Sequence, residues 1–279
     1  MKEIKVSKVL RLQLVVTGMH LSPEFGLNYQ QIEQDGFDID RKVEMLLSSD
    51  SAVGITKSVG IGIIGFADAL TELQPDLLLL LGDRFEIFAA ATAAYIAKVP
   101  IAHLHGGETT EGAFDEAFRH SITKMASIHF TSTEAYRKRV IQIGEHPDRV
   151  FNVGAIGIDN IKRLKLFSKA ELEKELGFQF NEKNLLITFH PVTLEFSTAK
   201  EQFAALLSVL DELNDTNLIF TKANADTDGR IINQMIDKYV ACNIRKSIAF
   251  TSMGQLRYLS TLKFVDAVVG NSSSGLLEA

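Results

Sequence analysis

The sequence predicts an α/β protein of the doubly wound kind, built as two successive halves. Along most of the chain, apolar runs of about four to six residues alternate with longer amphipathic stretches. Apolar runs this short, each ended by turn residues, are typical of strands buried on both faces, and such strands belong to parallel sheets covered by helices. The alternation starts again after a charged stretch, which predicts one domain over residues 1–164 and a second over 165–279.

The first half carries five predicted strands separated by helices. The strands are the apolar runs at 12–16, 76–81, 100–104, 127–130 and 150–153. Helices are expected over 52–73, 86–97 and 134–143, and another places one face of apolar residues at Phe114, Phe118, Ile122, Met125 and Ala126. Thr133 is the expected N-cap of the last helix, because its hydroxyl can accept a hydrogen bond from a backbone N–H of the first turn.

The second half repeats the pattern. Two charged helices are expected over 159–167 and 168–176. Four strands follow at 185–189, 218–220, 247–250 and 267–269, separated by helices at 199–213, 228–240 and 254–262. Ligands of open α/β sheets bind at the carboxyl ends of the strands, so the polar residues directly after each strand are the candidates for function.

Composition limits the classes of function. The 279-residue chain has 29 basic and 35 acidic residues and a net charge of −6, which argues against nucleic-acid binding, because that class needs a basic surface. The single cysteine, Cys242, excludes an internal disulfide and predicts a reducing, cytoplasmic location. The run of leucines at 77–81 has only the length of a strand, so no membrane span is predicted. No apolar segment follows residues 1–5, so no signal peptide is predicted.

The first strand end that carries candidate functional residues follows the 76–81 run. Asp83 lies there, where a carboxylate would face a ligand, and Arg84 beside it could keep it ionised or contact phosphate. The simpler interpretation is a helix cap next to a surface arginine. Position at the end of a buried strand favours the functional interpretation.

The next strand is followed by the densest group of titratable side chains in the chain. Its members are His103, His105, Glu108, Asp115 and Glu116. The last two also suit the first turn of a helix, and i, i+4 pairing with Arg119 and His120 on the surface is the simpler alternative. The spacing of the two histidines could indicate a metal site, but no further cluster of Cys or His supports it, and no metal is expected.

Three strand ends of the second half could hold an anion. His190 follows the 185–189 strand and is a candidate phosphate contact or proton carrier, and Asn224 and Asp226 follow the next strand. A serine-rich turn joins the last strand to a helix start through Ser272, Ser273 and Ser274. Free backbone N–H groups, hydroxyls and the helix dipole together favour phosphate there. A structural histidine and an ordinary serine cap are the alternatives.

Several motifs occur in an order that resembles one enzyme family. They are Gly82-Asp83-Arg84-Phe85-Glu86, His103-Leu104-His105-Gly106-Gly107-Glu108, Gly112-Ala113-Phe114-Asp115-Glu116, Arg119-His120-Ser121-Ile122-Thr123-Lys124, Phe189-His190-Pro191-Val192-Thr193 and Gly270-Asn271-Ser272-Ser273-Ser274-Gly275. Over nearly its whole length the chain resembles the hydrolysing UDP-N-acetylglucosamine 2-epimerases of sialic acid and related nonulosonic acid synthesis. The resemblance implies a glycosyltransferase-B-like fold, with two Rossmann-like domains and a nucleotide sugar between them.

The resemblance also implies a reaction that uses no cofactor. A base removes the proton on C2 of the sugar, UDP leaves, and water adds to the resulting glycal to give free N-acetylmannosamine or an analogue. This chemistry needs one group that takes a proton, another that returns one to the opposite face, and donors aimed at the departing diphosphate.

Roles for individual residues follow from their places in the motifs. The expected acid, base and water-handling groups are Asp83, Asp115 and Glu116, with His190 at the diphosphate or its leaving oxygen. Expected substrate contacts are Arg84, His103, Asn224, Asp226, Ser272, Ser273 and Glu278, of which the serines hold phosphate and Glu278 the ribose or uracil. Relatives can carry a catalytic Glu where this chain has His105, so either His105 or Glu108 must perform that proton transfer.

The chain departs from the family pattern at both ends. The opening strand with its Gly-Thr-Arg-Ala-Asp loop and the segments beyond the serine-rich turn are missing, so a chain truncated at both ends is expected. Three other functions stay open: a non-hydrolysing UDP-N-acetylglucosamine 2-epimerase, a glycosyltransferase of the same fold, and a nucleotide-sugar-binding protein without activity. The family tendency predicts a homodimer or homotetramer.

Overall fold

The computed structural model describes residues 1–195 and 198–272 and divides into two compact units. The first comprises residues 1–49, 53–111 and 115–153, and the second comprises 50–52, 112–114 and the chain from 154 onward. This division places the helix at 156–163 in the second unit, whereas the sequence analysis put the boundary after 164. The periodicity of an amphipathic connecting helix shows which face is apolar but not which unit that face packs against.

The first unit begins with a small parallel sheet. Its strands are β1 (Val15–Thr17) and β2 (Arg41–Val43), accompanied by the short helices α1 (Lys2–Lys5) and α2 (Tyr29–Gln34) and by 3-10 turns at Gly18–Leu21 and Pro23–Phe25. β1 overlaps the predicted strand at 12–16. β2 was not predicted, because Val43 is its single buried residue and no apolar run marks it.

The main sheet of the first unit has four parallel strands in the order β3-β4-β5-β6. The strands are Leu78–Leu81, Ile101–Leu104, Ile128–Thr131 and Val150–Asn152. Helices α3 to α6 cover Ala52–Leu73, Phe85–Ile96, Asp115–Met125 and Glu134–Gln142, and a 3-10 turn covers Pro147–Arg149. These predicted strands and helices are confirmed close to the expected bounds. Thr133 is confirmed as an N-cap, since its Oγ1 accepts from the backbone N–H of Tyr136 at 3.2 Å.

The two faces of this sheet differ in burial. The register places on one face six buried side chains, those of Leu80, Ile101, His103, His129, Thr131 and Val150. The opposite face keeps large apolar side chains in contact with solvent, among them Leu79, Leu81, Phe151 and Val153. Two histidines thus lie inside the packed side of the sheet, where a charged imidazole would be costly.

The second unit is built on another four-stranded parallel sheet. Its strands, in chain order, are β7 (Lys183–Thr188), β8 (Thr216–Thr221), β9 (Ser247–Phe250) and β10 (Ala267–Gly270). The helices are α7 (Ile156–Arg163), α8 (Lys169–Leu176), α9 (Ala199–Asp211), α10 (Gly229–Cys242) and α11 (Gly254–Leu262). In space the strand order is β10-β7-β8-β9, so the direction of winding reverses between β7 and β10. Ligands of doubly wound sheets bind at such a reversal.

Apolar side chains fill both faces of the second sheet. One cluster joins Ile187, Leu218 and Phe220 to side chains of α9 and α10 such as Phe203 and Ile236. A second cluster on the other face joins Leu186 and Ile219 to Leu172 of α8 and to residues near α11. The alternation along β7 between the two clusters is the pattern of a strand covered by helices on both sides, as the sequence predicts.

One helix, α3, meets the length and composition criteria for a membrane span, which was not expected from the sequence. It has 22 residues, as predicted, and by length and composition alone it could cross a membrane. In this fold, 39% of the 18-residue apolar window of α3 is buried, including Ile55, Phe66 and Leu70. A core helix satisfies the same criterion, so this is weak evidence for a membrane span.

Candidate active site

Asp83 lies at the carboxyl end of β3 and pairs with the guanidinium of Arg119 from α5. The Arg119 side chain is only 7% exposed and that of Asp83 18%. Burial raises the pKa of Asp83 above its ordinary value and outweighs the lowering by Arg119 and Arg84. Arg84, placed beside Asp83 by the sequence, contributes less, and its Nε lies 3.4 Å from Oε2 of Glu86.

Arg119 also connects Asp83 to the loop that follows β4. Its Nη1 donates to the carbonyl of His105 at 2.9 Å and contacts Oε2 of Glu108 at 3.3 Å. Its Nη2 donates to Oγ1 of Thr110 at 3.1 Å. A single buried guanidinium therefore positions two carboxylates, one from each of two neighbouring strand ends.

Glu108 accepts hydrogen bonds from two further residues of the first unit. Ser132 Oγ donates to Glu108 Oε1 at 2.6 Å, and Nδ1 of His105 lies 2.8 Å from the same oxygen. Burial acts to raise the pKa of Glu108, but the hydrogen bonds from His105 and Ser132, with the charge of Arg119, outweigh it and lower that pKa. Glu108 is thus an ionised carboxylate at neutral pH.

His103 holds the turn before Asp83 rather than facing solvent. Its side chain is fully buried, Nε2 lies 2.8 Å from the Gly82 carbonyl, and Nδ1 lies 3.2 Å from Oγ1 of Thr123. A carbonyl only accepts, so Nε2 carries the hydrogen and Nδ1 accepts from the threonine hydroxyl. Because both ring nitrogens are engaged, the geometry does not favour the direct substrate contact expected of His103.

Lowering the pH from about 7 toward 4 is expected to destabilise the protein through His103. Burial lowers the pKa of His103 from 6.5 to about 4. Between these values the unfolded chain holds a proton that the folded chain lacks, so the free energy of unfolding falls with pH, by on the order of 3 kcal/mol in total. His103→Gln removes this group, and its urea midpoint should vary less over that range than the wild-type midpoint. Equal pH slopes for the two proteins would contradict the prediction.

Glu116 and Asp115 begin α5, as expected. Glu116 Oε2 accepts from the backbone N–H of Thr110, and its Oε1 lies 3.3 Å from Nε2 of His120. The i, i+4 pair considered as the simpler alternative is therefore present, and Glu116 holds the loop that precedes its helix. Asp115 is half-buried at the first position of the same helix.

The second glycine of the Gly-Gly-Glu motif has a packing reason. Gly107 has φ +79°, and a Cβ there would lie 2.5 Å from the carbonyl oxygen of Tyr136 in α6. Both the backbone conformation and the close approach exclude a side chain. Gly107 thus lets the loop pack against α6 with Glu108 directly behind it.

In the second unit, His190 lies at the reversal of the strand order. Its backbone N–H donates to Oδ1 of Asn271 at 2.8 Å, and Asn271 Nδ2 donates to the His190 carbonyl at 2.8 Å. Gly270, before Asn271, approaches β7 so closely that a Cβ would lie 1.8 Å from the carbonyl oxygen of Thr188. These contacts fix the end of β10 against the end of β7 and bring His190 and the start of the serine-rich turn together.

Asn224 and Asp226 lie in the loop after β8. Asn233 of α10 holds this loop, since its Oδ1 accepts from the backbone N–H of Ala223 at 2.8 Å and its Nδ2 donates to the Ala223 carbonyl at 3.1 Å. Asn224 is half-buried, whereas Asp226 is only 7% exposed. Asn224 is therefore the better placed of the two to reach a ligand.

The serine-rich turn is described only at its start. Ser272 is half-buried directly after Asn271. Ser273 and Glu278 lie outside the described residues, and their expected phosphate and nucleotide contacts stay predictions.

Three residues of the arrangement were missed as site residues. Arg119 stands in one of the family motifs, with a surface pair to Asp115 as the simpler alternative, and its i, i+4 spacing gives no indication of the longer contact to Asp83. Ser132 directly follows β5 at the same sheet edge as Asp83 and His105, and that position alone could have singled it out. Asn271 belongs to one of the family motifs, but the spacing of residues in the sequence does not reveal that its side chain hydrogen-bonds to the backbone of His190.

The sequence matches the family described as UDP-N-acetylglucosamine 2-epimerase over residues 2–279. It is 43% identical to the GDP/UDP-N,N'-diacetylbacillosamine 2-epimerase (hydrolyzing) of Campylobacter jejuni, covering 99% of this chain and 72% of that protein. It is 34% identical to the UDP-N,N'-diacetylbacillosamine 2-epimerase (hydrolyzing) of Legionella pneumophila, covering 100% and 73%. It is 40% identical to the polysialic acid biosynthesis protein P7 of Escherichia coli, covering 96% and 68%.

Solved structures share the fold. The UDP-GlcNAc 2-epimerase from Neisseria meningitidis bound to UDP-GlcNAc aligns over 97% of this chain and 72% of its own, with a TM-score of 0.75 and 18% identity. A UDP-N-acetylglucosamine 2-epimerase from Listeria monocytogenes aligns over 96% and 68%, with a TM-score of 0.72 and 18% identity. The expected glycosyltransferase-B-like α/β architecture is confirmed. With these matches and the motifs at their strand ends, the chain belongs to the UDP-N-acetylglucosamine 2-epimerase family.

Proposed function

We propose that the protein is a hydrolysing nucleotide-sugar 2-epimerase. It converts a UDP- or GDP-linked acetamido sugar into the free 2-epimer and the nucleoside diphosphate. The observation that carries the proposal is the cluster of Asp83, Glu108 and His105 around the buried guanidinium of Arg119, in a chain 43% identical to a relative named for this reaction.

The favoured substrate is a diacetamido sugar, because two relatives, at 43% and 34% identity, are named for N,N'-diacetylbacillosamine. UDP-N-acetylglucosamine is the second candidate, since a 32% identical protein of Neisseria meningitidis is named for it. The relative named for polysialic acid biosynthesis supports a role in making sialic-acid-type sugars, and a role in legionaminic acid synthesis stays a prediction. The homo-oligomeric state and the cytoplasmic location stay predictions.

The reaction requires acid and base groups close to the sugar. Loss of the C2 proton with departure of the diphosphate forms a glycal, and water then adds at C1 while C2 regains a proton. No net oxidation occurs, so no redox cofactor is needed. Asp83, whose pKa burial raises, suits proton exchange nearer neutrality than an ordinary aspartate does. Asp115 and Glu116 are proposed to handle the water.

Binding of the diphosphate requires hydrogen-bond donors and positive charge. In the second unit, His190, Asn271 and Ser272 lie at the strand-order reversal, the place where doubly wound sheets bind their ligands. We assign them, with Ser273, to the phosphates, and Arg84 to the same task. Asn224 and Asp226 are proposed at the nucleotide or sugar, and Glu278 at the ribose or base.

Product analysis tests the proposal. Incubation with UDP-N,N'-diacetylbacillosamine and, separately, UDP-N-acetylglucosamine should release the nucleoside diphosphate and the free 2-epimer in equal amounts, followed by NMR. Intact 2-epimerised nucleotide sugar would instead indicate the non-hydrolysing reaction. Transfer only to an added acceptor would indicate a glycosyltransferase. Binding of UDP without turnover of either sugar would indicate a binding protein.

A further inference from the structure

The hydrogen bonds around Glu108 make its carboxylate a weak base. Oε1 accepts from Ser132 Oγ at 2.6 Å and faces His105 Nδ1 at 2.8 Å, while Oε2 faces Arg119 Nη1 at 3.3 Å. Three donors with a cation among them stabilise the ionised form. A proton taken up by this carboxylate would cancel the charge that these donors stabilise.

The same contacts fix the tautomer of His105. An ionised carboxylate can only accept, so Nδ1 carries a hydrogen, and the tautomer that this contact selects has its lone pair on Nε2. Nε2 itself is buried, but the side chain of His105 stays 15% exposed, and Nε2 has no hydrogen-bond partner within residues 1–195 and 198–272. By contrast, Asp83 is paired with Arg119, and Glu116 accepts from Thr110 and faces His120.

The backbone of His105 is held in an uncommon conformation. Its φ is +62°, in the left-handed region that non-glycine residues seldom adopt. The His105 N–H donates to the Phe130 carbonyl at 2.8 Å, and its own carbonyl accepts from Arg119 Nη1 at 2.9 Å. Conformations of this kind persist where the surroundings impose them, and they cluster at sites where a side chain must point in one direction.

We propose that Ser132, Glu108 and His105 form one array in which Nε2 of His105 is the proton acceptor, while Glu108 and Ser132 are positioning residues. The inference rests on the proposed function. Nε2 takes the C2 proton, the C–H electron pair becomes the C1=C2 double bond, and the C1–O bond breaks with its electron pair leaving on the diphosphate. The imidazolium, stabilised by Glu108, later returns its proton to water. This assigns to His105 the transfer that the sequence left open between His105 and Glu108.

Two variants of His105 separate the base from its position. His105→Asn keeps an N–H donor toward Glu108 and tolerates a positive φ, but lacks the second ring nitrogen. Its kcat should fall by on the order of 10²–10⁴-fold with KM little changed. His105→Gly suits the same backbone and leaves space, so added imidazole should restore part of its turnover in a concentration-dependent way. His146→Gln, at a histidine whose side chain is 69% exposed, is the matched control and should keep wild-type turnover.

Variants of the two positioning residues should behave differently. Glu108→Gln can place an amide N–H against Nδ1 and move the ring hydrogen to Nε2, so kcat should fall by on the order of 10³-fold without imidazole rescue. Ser132→Ala removes one of three donors, and kcat should fall by roughly 2- to 10-fold.

The outcomes are distinct. Turnover by His105→Asn within tenfold of wild type, or a His105→Gly protein that imidazole does not accelerate, overturns the assignment. Wild-type protein that releases no nucleoside diphosphate from either nucleotide sugar refutes the proposed function instead. Slow His105 variants with imidazole rescue, beside an active wild type, support both.

Discussion

Asp83→Asn is expected to lower kcat by on the order of 10²–10⁴-fold, the range typical of losing a positioned acid or base. The amide keeps the size of the side chain but cannot exchange a proton. It also weakens the pairing with Arg119, whose guanidinium would remain buried with one carboxylate partner fewer. Steady-state kinetics with the nucleotide sugar that the product analysis identifies, supported by a thermal melt, measure the effect.

A surface aspartate of the same unit is the control for this substitution. Asp148→Asn changes a side chain that is 88% exposed, and both kcat and melting temperature should stay at wild-type values. Unchanged turnover in Asp83→Asn would remove Asp83 from the mechanism, and a folded but slow variant would support it.

Arg119→Met is expected to reduce the free energy of unfolding by about 3–5 kcal/mol, the usual result of leaving a buried charge without its partner. The guanidinium stands between the carboxylates of Asp83 and Glu108 and is 7% exposed. Methionine fills much of the volume but provides no donor, so both carboxylates lose their shared cation. Activity should fall as well, since both carboxylates and the His105 carbonyl lose an anchor.

The pH dependence of the loss in unfolding free energy caused by Arg119→Met provides an internal check. Protonation of the two carboxylates removes the unpaired charge, so the difference between Arg119→Met and wild type in urea unfolding should narrow as the pH falls from about 7 to 4. Arg41→Met is the matched control, because Arg41 pairs with Glu72 at a site where the side chains are 43% and 56% exposed, and it should cost at most about 1 kcal/mol. A difference in unfolding free energy between Arg119→Met and wild type that is small at pH 7 would contradict the prediction.

The regular elements could be predicted because each carries a local signal. α3, β9 and α11 have the expected bounds, since an apolar run or a helical period is stopped at once by turn residues or by a proline. β2 has no such signal: Arg41 and Lys42 are exposed and the strand exists only because β1 pairs with it. Local sequence patterns predict which residues are buried, whereas β2 depends on its hydrogen-bonded pairing with β1, which those patterns do not show.

The site could be predicted in part for a related reason. Strand ends are visible in the sequence, so Asp83, Glu108 and His190 could be named. Which side chains meet across neighbouring strand ends depends on register and helix packing, which spacing along the chain does not reveal. That is why Arg119 was not named as a site residue, and why the two contacts that engage the ring of His103 could not be foreseen.

The spatial order of the second sheet has a consequence for biosynthesis. β7 is paired on one edge by β8 and on the other by β10, which is made roughly 80 residues later, or about 4–16 s at ordinary translation rates. During that interval the nascent chain carries an open strand edge of apolar composition, ready to pair with a neighbouring polypeptide. The rate at which the ribosome delivers residues 267–270 therefore sets how long this strand edge stays unpaired.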